Sequence, residues 1–88
     1  MMNFKQYNNV TKIVIPNGIR LSNTKFNSAF NNMKNLQSIE LTNEATSLYR
    51  SFCYCYNLKT PVCGPNIIEM NEAYWECRNL IGPAVCGD

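Results

Sequence analysis

Histidine is absent from this 88-residue sequence, which removes the side chain most used for proton transfer near neutral pH and the commonest metal ligand. Charge is sparse and balanced, with 16% charged residues and a net charge of +2. The basic residues are spread from Lys5 to Arg78, whereas a surface that tracks phosphates gathers them on one face. Nucleic acid is not an expected partner. The longest apolar stretches, such as Ile13-Val14-Ile15, fall far short of the roughly 20 residues that cross a bilayer, so no membrane span is expected. The opening residues, Met1 to Asn9, lack a basic segment leading into an apolar run, which predicts no secretory signal. With an odd count of five cysteines, this predicts a reduced compartment and no disulfide framework. The length also excludes two independent cores, because a chain this short buries only about 60% of the surface it exposes when unfolded.

What is present is a repeat. Leu36, Leu58 and Leu80 recur every 22 residues, each preceded by asparagine: Asn35, Asn57 and Asn79. The same step relates Met33, Cys55 and Cys77; Phe30, Phe52 and Tyr74; Ala29, Ser51 and Ala73; and Phe26, Leu48 and Met70. Within a copy, Phe26, Ala29, Phe30 and Met33 stand at i, i+3, i+4 and i+7, which is one stripe of a helix. Leu48, Ser51, Phe52 and Cys55 repeat it, as do Met70, Ala73, Tyr74 and Cys77, so three short helices are expected. Asparagine tolerates the left-handed conformation that closes helices, which predicts Asn35, Asn57 and Asn79 as their stops.

After each stop comes a run of extended character, over 36–41, 58–63 and 80–85, and Val10 to Ile15 has the same form. The inward residues then follow Val10, Ile13, Ile15; Leu36, Ile39, Leu41; Leu58, Pro61, Cys63; and Leu80, Pro83, Val85. The first connection, through the turn signal Pro16-Asn17-Gly18, is four residues longer than the second: 11 from Ile15 to Phe26 against 7 from Leu41 to Leu48. Pro61 and Pro83 lack a backbone donor, so strand content is expected to fall toward the C-terminus. A strand plus a two-turn helix cannot bury its apolar face alone, and stacking supplies the missing neighbours. The expectation is an α/β fold, a short solenoid of about four stacked strands with three short helices. Residues 1–9 form an N-terminal lead-in or cap, and 10–88 the solenoid in units of about 22 residues, the last incomplete.

The units Ser28-Ala29-Phe30 through Asn35-Leu36, Arg50-Ser51-Phe52 through Cys55-Tyr56-Asn57-Leu58, and Ala73-Tyr74 through Cys77-Arg78-Asn79-Leu80 resemble the BspA-like subfamily of leucine-rich repeats. The segment Pro61-Val62-Cys63-Gly64-Pro65-Asn66 and its partial echo Pro83 to Asp88 resemble a variant found in proteins of gut bacteria and their phages. The resemblance implies a leucine-rich-repeat solenoid with a non-catalytic role, a protein-interaction or structural module in a larger assembly, first of all a bacteriophage virion component. Together with the absence of an export signal from the sequence, this leads to an expected location in the virion or, failing that, the cytoplasm. The alternative it carries is a fragment of a bacterial surface adhesin. Since Asp88 precedes the next helix of the repeat, the last rung is expected to be open, either because the chain is a fragment or because a partner or neighbouring subunit covers that end.

A reading of another class is a zinc- or thiol-dependent protein built on Cys53, Cys55, Cys63, Cys77 and Cys86. Their spacing lacks the C-x-x-C pairs of zinc modules, and Cys55 and Cys77 share an inward column, where cysteine acts as a small hydrophobe. Cys53 is the one expected to react. A cysteine nucleophile needs a base, and without histidine only carboxylates such as Glu69, Glu72 and Glu76 remain. No enzyme activity, cofactor or metal is therefore expected. The functional signal lies on the helix face opposite the apolar stripe, at Tyr49, Cys53 and Tyr56 and again at Asn71, Trp75 and Arg78. The period sets Cys53 beside Trp75, Tyr56 beside Arg78 and Tyr54 beside Glu76. Because tyrosine, tryptophan and arginine dominate binding hot spots, Tyr49, Arg50, Tyr54, Tyr56, Trp75 and Arg78 are the candidate partner contacts.

Overall fold

A computed structural model describes residue 4 and residues 6–18, 23–60 and 64–81. Two strands form, β1 (Lys12–Val14) and β2 (Ser38–Glu40), paired in parallel with Ile13 opposite Ile39. The described residues contain no helix and no further strand, so the expected α/β solenoid with four stacked strands and three helices is not the architecture. Pro61, Cys63, Pro83 and Val85 lie outside the described residues. Next to them, Lys59 N–H donates to the Gln37 carbonyl at 3.1 Å and Ile81 N–H to the Lys59 carbonyl at 2.7 Å, outside any strand.

The segments expected to be helical, from Phe26, Leu48 and Met70 to the stops at Asn35, Asn57 and Asn79, are runs of tight turns. Their internal bonds span three residues, as from Ala29 N–H to the Phe26 carbonyl at 3.2 Å and from Cys55 N–H to the Phe52 carbonyl at 3.0 Å. Two residues in each segment take a left-handed backbone: Ser28 and Asn32 at φ 55° and 64°, Arg50 and Tyr54 at 51° and 63°, Glu72 and Glu76 at 55° and 62°. These reversals end any helix before a second turn and aim alternate N–H groups sideways. Phe26, Ser28, Phe30 and Asn32 donate to the carbonyls of Ser47, Tyr49, Ser51 and Cys53 at 2.8–2.9 Å. Leu48, Arg50, Phe52 and Tyr54 donate in the same way to Glu69, Asn71, Ala73 and Trp75. The backbone is thus satisfied between neighbouring segments rather than along one axis. None of the six left-handed residues is glycine, so each carries a cost of about 1–2 kcal/mol that the lateral bonds offset.

This reversal sets the sign of a substitution. In a helix, glycine is about 1 kcal/mol worse than alanine; at a left-handed position the preference inverts. Denaturation of the Ser28→Gly chain is expected at higher urea than that of Ser28→Ala, by roughly 0.5–1 kcal/mol, and the opposite order would restore the helix.

The stripe predicted from spacing is nevertheless the core. Phe26, Ala29, Phe30 and Met33, with Leu48, Ser51, Phe52 and Cys55, are fully buried, and Leu36 and Leu58 with them. Met70, Tyr74, Cys77 and Leu80 pack against this cluster while partly exposed. Four rings form one column, Phe4 on Phe30 at 5.0 Å, Phe30 on Phe52 at 5.2 Å and Phe52 on Tyr74 at 5.3 Å, all within 11° of parallel. Phe4 also donates its N–H to the Ala29 carbonyl at 2.8 Å, so the lead-in closes one end of the stack. The pairing offset is 26 residues at Ile13 and Ile39 but 22 at Lys25 with Ser47 and at Ser47 with Glu69, which locates the four extra residues between β1 and Lys25.

The asparagines do not stop helices. Asn35, Asn57 and Asn79 donate side-chain N–H groups to the carbonyls of Asn8, Lys34 and Tyr56 at 2.9, 2.8 and 2.7 Å, and none has a positive φ. Buried small groups do the same work inside. Ser51 Oγ donates to the Phe26 carbonyl, and Cys55 and Cys77 Sγ donate to those of Phe30 and Phe52 at 3.0 Å.

Candidate functional site

The six candidate contacts fall into two groups, on a face made of turns rather than helix. In the larger group, Tyr56 meets Tyr54 edge-on with centroids 6.2 Å apart, and Tyr54 meets Trp75 at 5.6 Å. Arg78 lies over the Tyr56 ring at 4.9 Å, and Lys34 lies 5.9 Å from the same centroid. Lys34, Tyr56 and Arg78 are one column of the 22-residue step, so the period could have singled out Lys34, which motif reading passed over. Trp75 is 51% exposed, a large open ring among half-buried tyrosines. Arg78 is held by Glu76 at 3.0 Å, which fixes the guanidinium beside the ring.

The second group is Tyr49, Arg50 and Glu72. Arg50 pairs with Glu72 at 2.8 Å and sits 5.2 Å from the Tyr49 centroid. Its hydrogen bond to the Glu72 carboxylate raises the guanidinium pKa further above its ordinary value. Arg50, Tyr54, Glu72 and Glu76 are all left-handed residues. Ser28 and Asn32, outside both groups, share the conformation, so it belongs to the architecture and not to the site alone.

Tyr54 packs on Trp75 and Tyr56, and its N–H donates to the Trp75 carbonyl at 2.9 Å. One placement differs from the sequence expectation: Cys53 is not on the open face. It is 2% exposed, with Sγ donating to the Glu72 carbonyl at 3.2 Å, and burial raises its pKa.

Burial also pushes the Cys55 thiol up to about 12 and that of Cys77 to about 11. Thiolate is the nucleophilic and metal-binding form, and all three described cysteines disfavour it. Among the described residues no three His, Cys, Asp or Glu side chains gather as metal ligands; Cys63 and Cys86 lie outside them. A cleft of about 230 Å³ is lined by Lys25, Asn27, Thr46, Ser47, Ile68 and Glu69. Within it Ser47 Oγ donates to Asn27 Oδ1 at 2.6 Å, and Glu69 Oε1 accepts from the Asn71 N–H outside the lining at 3.2 Å. No helix among the described residues is long and apolar enough to cross a membrane.

The chain matches no protein-family model, no curated protein and no solved structure.

Proposed function

We propose that the chain is a non-catalytic protein-interaction or structural module of a larger assembly. The observation that carries this reading is the cluster of Trp75, Tyr54 and Tyr56 with Lys34 and Arg78, an open aromatic ring beside pre-positioned cations. Such groups lose little entropy on binding and bury much area, which is the composition of binding hot spots. The raised thiol pKa values speak against cysteine chemistry as the alternative. Bacteriophage particles are the assembly favoured by the resemblance of the Cys-x-Asn-Leu and Pro-Val-Cys-Gly segments, and mass spectrometry of purified particles tests that placement.

The cluster itself is tested by Trp75→Ala. The variant is expected to keep its fold, losing no more than about 1 kcal/mol, because Trp75 contributes only its backbone carbonyl to the lateral ladder. Affinity for the native partner, recovered from the source with the wild-type chain, is expected to fall about 30-fold or more. Unchanged affinity removes the cluster from the interface, and global unfolding removes Trp75 from the surface.

A further inference from the structure

The turn Pro16-Asn17-Gly18 takes no part in the aromatic cluster, yet it sets two mutually reactive groups side by side. Gly18 is the only glycine of the sequence that follows an asparagine. The backbone nitrogen after an asparagine is the nucleophile that closes a five-membered ring on the side-chain amide, and glycine, without a Cβ, hinders that approach least. All three residues of the turn are exposed. Gly18 sits at φ 84° with open space where a Cβ would stand, and its N–H has no acceptor among the described residues.

The electrophile is held as well. The backbone N–H of Asn43 donates to Asn17 Oδ1 at 2.6 Å. Attack on Asn17 Cγ puts negative charge on that oxygen, so a donor already stands where the oxyanion forms. Asparagines within the stack differ. After Asn27, the Ser28 N–H is bound to the Tyr49 carbonyl at 2.9 Å, and after Asn31 the Asn32 N–H is bound to that of Cys53 at 2.8 Å. After Asn35 and Asn57, the N–H groups of Leu36 and Leu58 donate to the carbonyls of Met33 and Cys55 at 3.1 and 3.2 Å. The bonds that build the stack therefore occupy the nucleophiles beside these side chains.

We infer that Asn17 is a self-modifying site, converted without an enzyme to aspartate and isoaspartate. The Gly18 nitrogen loses its proton to water and bonds to Asn17 Cγ. The tetrahedral centre collapses, the Cγ–Nδ2 bond breaks, and the nitrogen leaves as ammonia with a proton from water. Water then opens the cyclic imide: cleavage between the ring nitrogen and Cγ leaves aspartate, and cleavage between that nitrogen and the main-chain carbonyl carbon leaves isoaspartate. The net change exchanges an NH2 for an OH. Aspartate keeps an oxygen for the Asn43 N–H, now charged and a stronger acceptor. Isoaspartate routes the backbone through Cβ and withdraws that acceptor from Asn43. The Asn43 carbonyl accepts in turn from Asn66 Nδ2 at 2.7 Å, so conversion acts on the first member of an outer asparagine series, Asn17, Asn43 and Asn66.

The native chain is compared with synthetic peptides of residues 12–23 and 22–33 in mildly alkaline buffer with reductant, and peptide mapping by mass spectrometry follows the mass gain at Asn17 and Asn27. Asn17 is expected to convert faster in the native chain than in its peptide, by about threefold or more. Asn27 is expected to be slowed at least about tenfold by the bond that holds the Ser28 N–H. Conversion of Asn17 at or below the rate of its peptide overturns the inference, because the Asn43 N–H then does nothing for the reaction. Gly18→Ala is expected to lower the native rate severalfold while circular dichroism is unchanged, since a Cβ there meets no neighbour and only the backbone angle is strained. An undiminished rate in that variant removes the Gly18 nitrogen as the nucleophile and also overturns it.

Discussion

Replacing Phe52 with alanine costs about 3–5 kcal/mol and brings the chain to the margin of unfolding at room temperature. Phe52 is fully buried, and its ring lies between Phe30 at 5.2 Å and Tyr74 at 5.3 Å. Truncation removes both stacked contacts and opens a cavity at the middle of the column, where rings above and below are held in place by their own backbone ladders and cannot collapse inward. A native domain has only about 5–15 kcal/mol to lose, and one of this size sits toward the low end. Urea denaturation followed by circular dichroism and by Trp75 fluorescence measures the loss. Phe52→Leu, which keeps most of the volume, is expected to recover all but about 1.5 kcal/mol. Phe4→Ala is expected to cost less than Phe52→Ala, because Phe4 has one ring neighbour and stands at the end of the stack. A Phe52→Ala chain with the wild-type midpoint means that the column carries no stability.

The same column shows what the sequence made legible. The 22-residue step named the residues that meet across neighbouring segments, and the spacing i, i+3, i+4, i+7 named the buried stripe, Phe26, Ala29, Phe30 and Met33. Both report side-chain direction alone. A run of three-residue turns with a reversal every fourth residue presents the same stripe as a helix, so the pattern could not say where the backbone N–H groups go. The reversals carried no signal either, since they fall on Ser28, Asn32, Arg50, Tyr54, Glu72 and Glu76, none of them the glycine that usually marks left-handed backbone. Asn35, Asn57 and Asn79 were conspicuous for a different reason from the one their residue type suggested: they donate across the stack. At the candidate site, residue type pointed to Tyr54, Tyr56, Trp75 and Arg78, which do come together. It could not separate Tyr49 and Arg50 from them or show that Cys53 is buried, because residue type does not say which side chains the neighbouring segments cover.

Alkaline solution is expected to weaken the fold through its buried thiols. In the unfolded chain Cys55 ionises near its ordinary value of 9.0, whereas in the folded chain burial pushes it up to about 12 and its Sγ donates to the Phe30 carbonyl at 3.0 Å. Above roughly pH 9 the unfolded state therefore holds fewer protons than the folded one, and stability falls by about 1.4 kcal/mol per pH unit until the folded thiol also ionises. The contribution is fully present below the unfolded value and amounts to a loss of about 2 kcal/mol by about pH 10.5. Cys77, raised to about 11 but only partly buried, acts in the same direction with a smaller effect because water screens it. Urea midpoints measured with reductant across this range test the claim against Cys55→Ser, whose hydroxyl keeps a donor for the Phe30 carbonyl and does not ionise. The wild-type curve should fall more steeply than the variant's, by about one pH-dependent proton above roughly pH 9. Parallel curves would put the Cys55 thiol in contact with water and take away the interior that the stacked segments enclose.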